Sequence, residues 1–209
     1  MKKLLHIIAS PRGDESRTLK VSEIFMKNFK KKYPDCEIDE LNVFKEELIE
    51  MTVKKVSGKY VLLGGKDLDG ELKDEWNEII KQIDRFLSAD AYLISTPMWN
   101  FGIPYPLKHY IDIILQPKYT FQYTATGVKG FAEGKKMVVI TSRGGDYGPD
   151  SPTKSYNQQE PYLRTAFGFI GLTDIAFIAA QPMDALGPEV RDKKIEEAKI
   201  IAEKFAQEF

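Results

Sequence analysis

KLLHIIASPRGDESRTLKVSEIFMKNFKKK, residues 3–32, decides the fold. Lys3–Ala9 is apolar at almost every position, which suits a strand covered on both faces, as in a parallel sheet. A polar loop follows. Over Thr18–Lys32 the apolar residues Leu19, Val21, Ile24, Phe25, Met26 and Phe29 then recur at helical spacing, and Lys30, Lys31 and Lys32 suit the negative end of a helix dipole. Strand, polar loop and helix form the repeating unit of an α/β protein.

The same alternation continues down the chain. Glu37–Asn42 (EIDELN) reads as a second strand near a sheet edge, and Trp76, Ile79, Ile80, Ile83, Phe86 and Leu87 mark a helix running from Asp74 toward a third strand, Ala91–Ser95. A helix over Tyr105–Leu115, a small hairpin around YTFQYT, a fourth strand at Lys136–Thr141 and a helix over Gln158–Ile170 come next. Thr173–Ala179 is the fifth strand, and Pro188–Phe209 closes the chain as a helix with proline in its first turn. Residues 43–72 carry Gly58, Gly64, Gly65 and Gly70 among charges and read as a variable excursion, with a short helix at Phe44–Met51. Five strands alternating with helices predict one domain, residues 1–209, built on a doubly wound five-stranded parallel sheet with helices on both faces.

Composition narrows the function. The 209 residues include 12 Phe, 10 Tyr and 2 Trp, and 43% are hydrophobic, enough for a sizeable core and against disorder. Thirty basic residues against 31 acidic give a net charge of −1, which provides no bulk attraction to nucleic acid or to anionic lipid. The single cysteine, Cys36, excludes an internal disulfide framework, and with only His6 and His109 beside it no metal site is expected. No window approaches the roughly 20 apolar residues of a spanning helix, so a cytoplasmic protein is expected.

In a doubly wound sheet, ligands bind outside the carboxyl ends of the strands where the strand order reverses, which nominates three loops. SPRGDESRT after the first strand places the hydroxyls of Ser10, Ser16 and Thr18 beside the free amides of a helix N-terminus, an arrangement suited to phosphate. Ser16 or Thr18 serves equally well as a plain helix cap. STPMWNFGIP after the third strand puts Met98, Trp99 and Phe101, flat or polarizable, next to Asn100. The glycine and prolines around them keep that segment irregular, although aromatic residues also build cores. TSRGGD after the fourth strand offers the close backbone approach of Gly144 and Gly145, or a simple turn.

SxxxxxSRT, PMWNF and TSRGG in this order, with KKMVVITSRGG, the FxYTxxG segment Phe121–Gly127 and FGFIGLTD at Phe167–Asp174, resemble the FMN-dependent NADH-azoreductase and quinone-reductase family of the flavodoxin-like superfamily. The likeness spans nearly the whole chain apart from residues 43–72. It implies one FMN per subunit, its phosphate held by Ser10, Ser16, Arg17 and Thr18, its ring lined by Met98, Trp99, Asn100 and Phe101 and closed by Ser142, Arg143, Gly144 and Gly145. It implies a homodimer with sites completed by the partner chain, Asn100 and Tyr123 as catalytic residues, and Phe167 or Phe169 near the substrate. It also implies NADH as donor, quinones and aromatic azo compounds as acceptors, and ping-pong kinetics. Two departures stand out: Arg17 replaces an uncharged residue, and Gln116-Pro117-Lys118-Tyr119 replaces small ones, which bears on the shape of the substrate pocket. The rival readings are a flavodoxin-type electron carrier and a flavin-binding regulatory protein. His109 is a tempting proton donor but reads as a helix-packing residue; Lys54, Lys55 and Lys59 are candidates for a dinucleotide 2′-phosphate.

Overall fold

The computed structural model describes residues 1–209. Five parallel strands, β1 (Lys3–Ile8), β2 (Glu37–Asn42), β3 (Ala91–Ser95), β6 (Lys136–Ser142) and β7 (Asp174–Ala180), form one sheet in the order β2-β1-β3-β6-β7. The chain leaves β1 toward β2 and then crosses to the other side of β1, so the order reverses between β1 and β3. That reversal splays the loops after these two strands apart and opens a crevice between them. A separate antiparallel hairpin, β4 (Phe121–Thr124) and β5 (Gly127–Gly130), pairs Tyr123 with Val128.

Strand alternation sorts the core into two layers. Leu4, Leu93, Val138, Ile140 and Ile178 face α1 (Arg17–Lys32) and α6 (Gly187–Glu208), meeting Val21, Phe25, Phe29, Ala198 and Ala202. Leu5, Ile7, Tyr92, Ile94 and Val139 face α3 (Gly70–Ser88), α4 (Tyr105–Ile114) and α5 (Gln159–Phe169). Both faces of the sheet are thus covered, as the unbroken apolar strands require. No helix is long and apolar enough to cross a membrane.

The strands and helices expected from the sequence form within a few residues of their predicted bounds, and residues 43–72 are the exception. Phe44–Met51 is not a helix; the helix lies later, at α2 (Val53–Leu63), where Thr52 caps it by accepting from the Lys55 amide. Phe44, Leu48 and Ile49 instead pack as irregular chain against the α3–α4 layer, and His109 Nε2 bonds the Ile49 carbonyl at 2.8 Å. His109 therefore has a structural partner in this segment. Gly58 lets α2 approach α3 closely: a Cβ there would lie 2.2 Å from Trp76 Nε1, which donates to the Lys55 carbonyl.

His6 is buried on β1, between β2 and the central strand β3. Its Nε2 lies 2.7 Å from Ser95 Oγ, which in turn lies 2.6 Å from Ser22 Oγ on α1, so three buried polar side chains tie two strands to a helix. Burial, helped by repulsion from Lys30, pushes the His6 pKa down to about 4. Above pH 6.5 the ring is neutral in both folded and unfolded chains. As pH falls below 6.5 the unfolded chain gains a proton that the folded chain refuses until about pH 4, so stability falls over that window. From pH 7.5 to 4.5 the loss from His6 is expected to be about 2.5 kcal/mol. Urea unfolding of wild type and His6→Gln across this range checks it: the variant's curve should be flatter, and parallel curves would refute the assignment.

Candidate active site

The loops after β1, β3 and β6 converge on one cavity of about 250 Å3. Its floor is hydroxyl-rich. Ser10 Oγ and Ser16 Oγ lie 2.7 Å apart, Thr18 Oγ1 and Ser142 Oγ lie 2.7 Å apart, and Ser10, Ser16 and Thr18 are buried. Ser16 also caps α1 by accepting from the Leu19 amide at 3.2 Å, so the capping and cradle readings hold together. The Arg17 and Thr18 amides, the first of α1, have no acceptor within the chain. Two free N–H groups at the positive end of a 16-residue helix, ringed by hydroxyls, favour an anion.

Met98 and Trp99 form the apolar wall. Trp99 and Gly102 exchange backbone hydrogen bonds of 3.1 and 2.9 Å around a tight turn in which Asn100 and Phe101 take φ of 46° and 70°. Left-handed backbone at two residues with side chains costs roughly 1–2 kcal/mol each. The turn is held from outside by the Gln158 amide, which donates to the Phe101 carbonyl, and its effect is to leave Trp99 and Phe101 partly exposed at the rim.

The third wall is the turn after β6. The Gly144 and Gly145 amides have no acceptor in the chain, whereas the Gly144 carbonyl accepts from the Asp184 amide at 2.9 Å. A Cβ on Gly144 would lie 3.1 Å from Asp184 Oδ2, and one on Gly145 would lie 2.9 Å from the Tyr147 hydroxyl, so side chains already crowd both positions. Arg143 is buried behind this turn. Its Nε donates to Gln159 Oε1 at 3.1 Å, and Glu160 Oε2 lies 3.7 Å from Nη2, which has no hydrogen-bond partner. Burial lowers the Arg143 pKa from its usual value, and the nearby Glu160 carboxylate opposes that shift.

Nine of the site residues expected from the sequence line this cavity: Ser10, Ser16, Arg17 and Thr18; Met98 and Trp99; and Ser142, Arg143 and Gly144. Asn100 lines a neighbouring cavity of about 670 Å3 together with Trp99, Ile103, Tyr105 and Tyr162. Phe101, Gly145 and Tyr123 line neither. Tyr123 is exposed on its hairpin, in an aromatic group with Phe121 and Phe169. Phe167 and Leu163 belong to the core, so neither presents a surface to substrate or partner; Phe169 remains partly exposed. Lys54 pairs with Glu71 and Glu75 and Lys55 with Glu78, while Lys59 has no carboxylate partner and donates to the Leu115 carbonyl at 3.5 Å; none of the three lines either cavity. The Gln116–Tyr119 departure does not border the cavities: Lys118 Nζ clamps Gly65, Lys66 and Asp67, and Tyr119 meets Trp76.

Sequence reasoning missed Pro11, Arg12, Pro97, Met183 and Asp184, which also line the site, and Gln159, which supports it. Met183 and Asp184 follow β7, and the rule that nominates carboxyl ends extends to that loop. Gln159 has no such signal; its role comes from being buried where three loops meet.

A parallel sheet ordered β2-β1-β3-β6-β7, with a cradle of hydroxyls and amides at its switch point, defines a flavodoxin-class α/β protein. The chain belongs to the family described as flavodoxin-like fold, which matches residues 2–205. It is 36% identical over 209 residues, all of both chains, to an FMN-dependent NADH:quinone oxidoreductase of Nitratidesulfovibrio vulgaris strain DP4. It is 41% identical to FMN-dependent NADH:quinone oxidoreductase 2 of Clostridium perfringens strain 13, over 98% of this chain and 100% of that one. Among solved structures, azoreductase from Bacillus anthracis strain Sterne superposes over the full length of both chains with a TM-score of 0.89 at 28% identity. An FMN-dependent NADH-azoreductase from Bacillus anthracis strain Ames Ancestor, in complex with FMN, superposes with a TM-score of 0.82 at 30% identity, covering 99% of this chain and 100% of that one.

Proposed function

We propose that the protein is an FMN-dependent NADH:quinone oxidoreductase that also cleaves aromatic azo compounds, acting in the cytoplasm as a homodimer of single-domain subunits. The observation that carries this is the convergence of three separate loops on one cavity whose floor suits a phosphate and whose wall suits a flat ring. Full-length relatives with this activity in their names support it.

The residues fit FMN by chemistry. Buried hydroxyls of Ser10, Ser16 and Thr18, with the unpartnered Arg17 and Thr18 amides, would hold the phosphate. Met98 and Trp99 would take the ring, with Asn100 and Phe101 forming the turn beside it, and the unpartnered Gly144 and Gly145 amides would donate to its electron-rich edge, with Ser142 and Arg143 behind them. When bound, FMN supplies two-electron hydride chemistry between NADH and a quinone or azo bond that no side chain provides. The protein's part is to position both partners and to place fixed donors where negative charge accumulates. Asn100 faces the adjoining cavity, which would admit the acceptor; Tyr123, outside both cavities, would serve the partner's site. Exposed Trp99 and Tyr105 on that cavity, with exposed Phe101 in the same turn as Trp99, support burial by a second copy.

The test is the visible spectrum of the purified protein with FMN, recorded without oxygen. The flavin band is expected to bleach on addition of NADH and to return with a simple quinone. FMN binding without bleaching would put the carrier or regulatory reading first, and no FMN binding would remove the site assignment altogether.

A further inference from the structure

Two carboxylate oxygens stand at the mouth of a cavity otherwise suited to an anion. Asp184 follows β7, and its Oδ1 lies 2.6 Å from Arg17 Nη1 at the start of α1. Arg17 Nη1 also donates to the Met183 carbonyl at 3.3 Å. Asp184 Oδ2 stands against Gly144, on the far wall. Arg17, Asp184 and Gly144 all line the cavity, so Asp184 spans from the phosphate cradle to the turn after β6. Two other arginines line the cavity: Arg12 is paired with Glu15 at 3.3 Å, and Arg143 has Glu160 at 3.7 Å from its Nη2, which makes no hydrogen bond. Every cation facing the cradle therefore already has a carboxylate.

We infer that Asp184 sets the site's discrimination between phosphorylated and unphosphorylated flavin by competing with the phosphate for Arg17. Building on the FMN reading, a phosphomonoester entering the cradle brings a second negative group to a guanidinium that Asp184 already holds. Arg17 must then be shared or released, and the unreleased carboxylate repels the incoming dianion across a partly exposed site. Both effects weaken binding of the phosphate alone. Riboflavin, with the same ring and no phosphate, feels neither. The carboxylate's opposition to the phosphate is largest at low salt, where repulsion is least screened.

Asp184→Asn keeps the side chain's size and removes its charge. Flavin-free wild type and variant would be titrated with FMN and with riboflavin, following quenching of flavin fluorescence. FMN Kd is expected to fall about threefold or more in the variant, with riboflavin Kd unchanged, and the gain should shrink in high salt. Arg17→Gln should do the reverse, weakening FMN and sparing riboflavin. Equal shifts for both flavins, or none for either, would overturn the inference and make Asp184 a packing or capping residue. Failure of wild type to bind either flavin would instead remove the cofactor reading on which the inference rests.

Discussion

Gln159→Leu is expected to destabilise the protein by about 4 kcal/mol and to weaken FMN binding at least tenfold. Gln159 is fully buried at the start of α5, and each end of its amide is used. Oε1 accepts from the Thr141 hydroxyl at 2.9 Å and from Arg143 Nε at 3.1 Å, while Nε2 donates to the Pro97 carbonyl at 3.0 Å. One side chain thus joins the end of β6, the turn after it and the loop after β3. Leucine fills similar space but leaves a hydroxyl, a carbonyl and a buried guanidinium short of partners, and Arg143 already has one unpartnered nitrogen. Removing one member of such a network costs the desolvation of what remains, which is larger than the bond itself. For a chain of this length about 4 kcal/mol corresponds to a fall in Tm of roughly 8–16 °C. Urea unfolding and FMN titration of the same preparation separate the two effects. Loss of stability with FMN affinity intact would mean that the loops after β3 and β6 keep their places without this bridge.

The contrast between Gln159 and Ser16 shows what the sequence makes legible. Ser16 announces itself: a hydroxyl just before a helix, after an apolar strand, has two local uses, and the structure puts it to the first while leaving it in place for the second. The strands were legible for a similar reason, since a run such as Lys3–Ile8 that is apolar on both faces has few other destinations. Gln159 is one glutamine beside another, and only tertiary placement distinguishes it from exposed neighbours. Residues 43–72 fail differently. Phe44, Leu48 and Ile49 have the spacing of a short helix, yet the segment is held by bonds distant in sequence: His109 to the Ile49 carbonyl, and Lys118 to Gly65, Lys66 and Asp67. Local periodicity carries no record of these anchors. The Trp99–Gly102 turn lies between the two cases, because glycine and proline mark an irregular segment but do not foretell left-handed backbone at Asn100 and Phe101.

Gly130→Ala tests how far the hairpin belongs to the chemistry, and is expected to cost about 4 kcal/mol. Gly130 ends β5 and is buried against the turn that follows α5. A Cβ there would fall 1.9 Å from the Ile170 carbonyl carbon and 2.1 Å from the Gly171 nitrogen, so the obstacle is backbone and no rotamer change relieves it. Either the hairpin or the turn must move. The movement pulls on the Ala132 amide, which donates to the Ile170 carbonyl at 2.9 Å, and on the Phe131 amide, which donates to the Thr120 carbonyl at 3.0 Å. It also displaces the ring contacts of Phe121 with Phe169, centroids 4.7 Å apart, that hold Tyr123 in its group. The cavity of the cofactor site draws no residue from β4, β5 or the Ile170 turn, so FMN affinity should stay within about twofold of wild type, as expected for independent sites. Quinone turnover need not. If Tyr123 contributes to the substrate side of a partner's site, kcat/KM for quinone should fall in the variant at a temperature where circular dichroism shows it fully folded. If turnover survives while the melting temperature drops, the hairpin is a structural brace and Tyr123 leaves the list of catalytic residues.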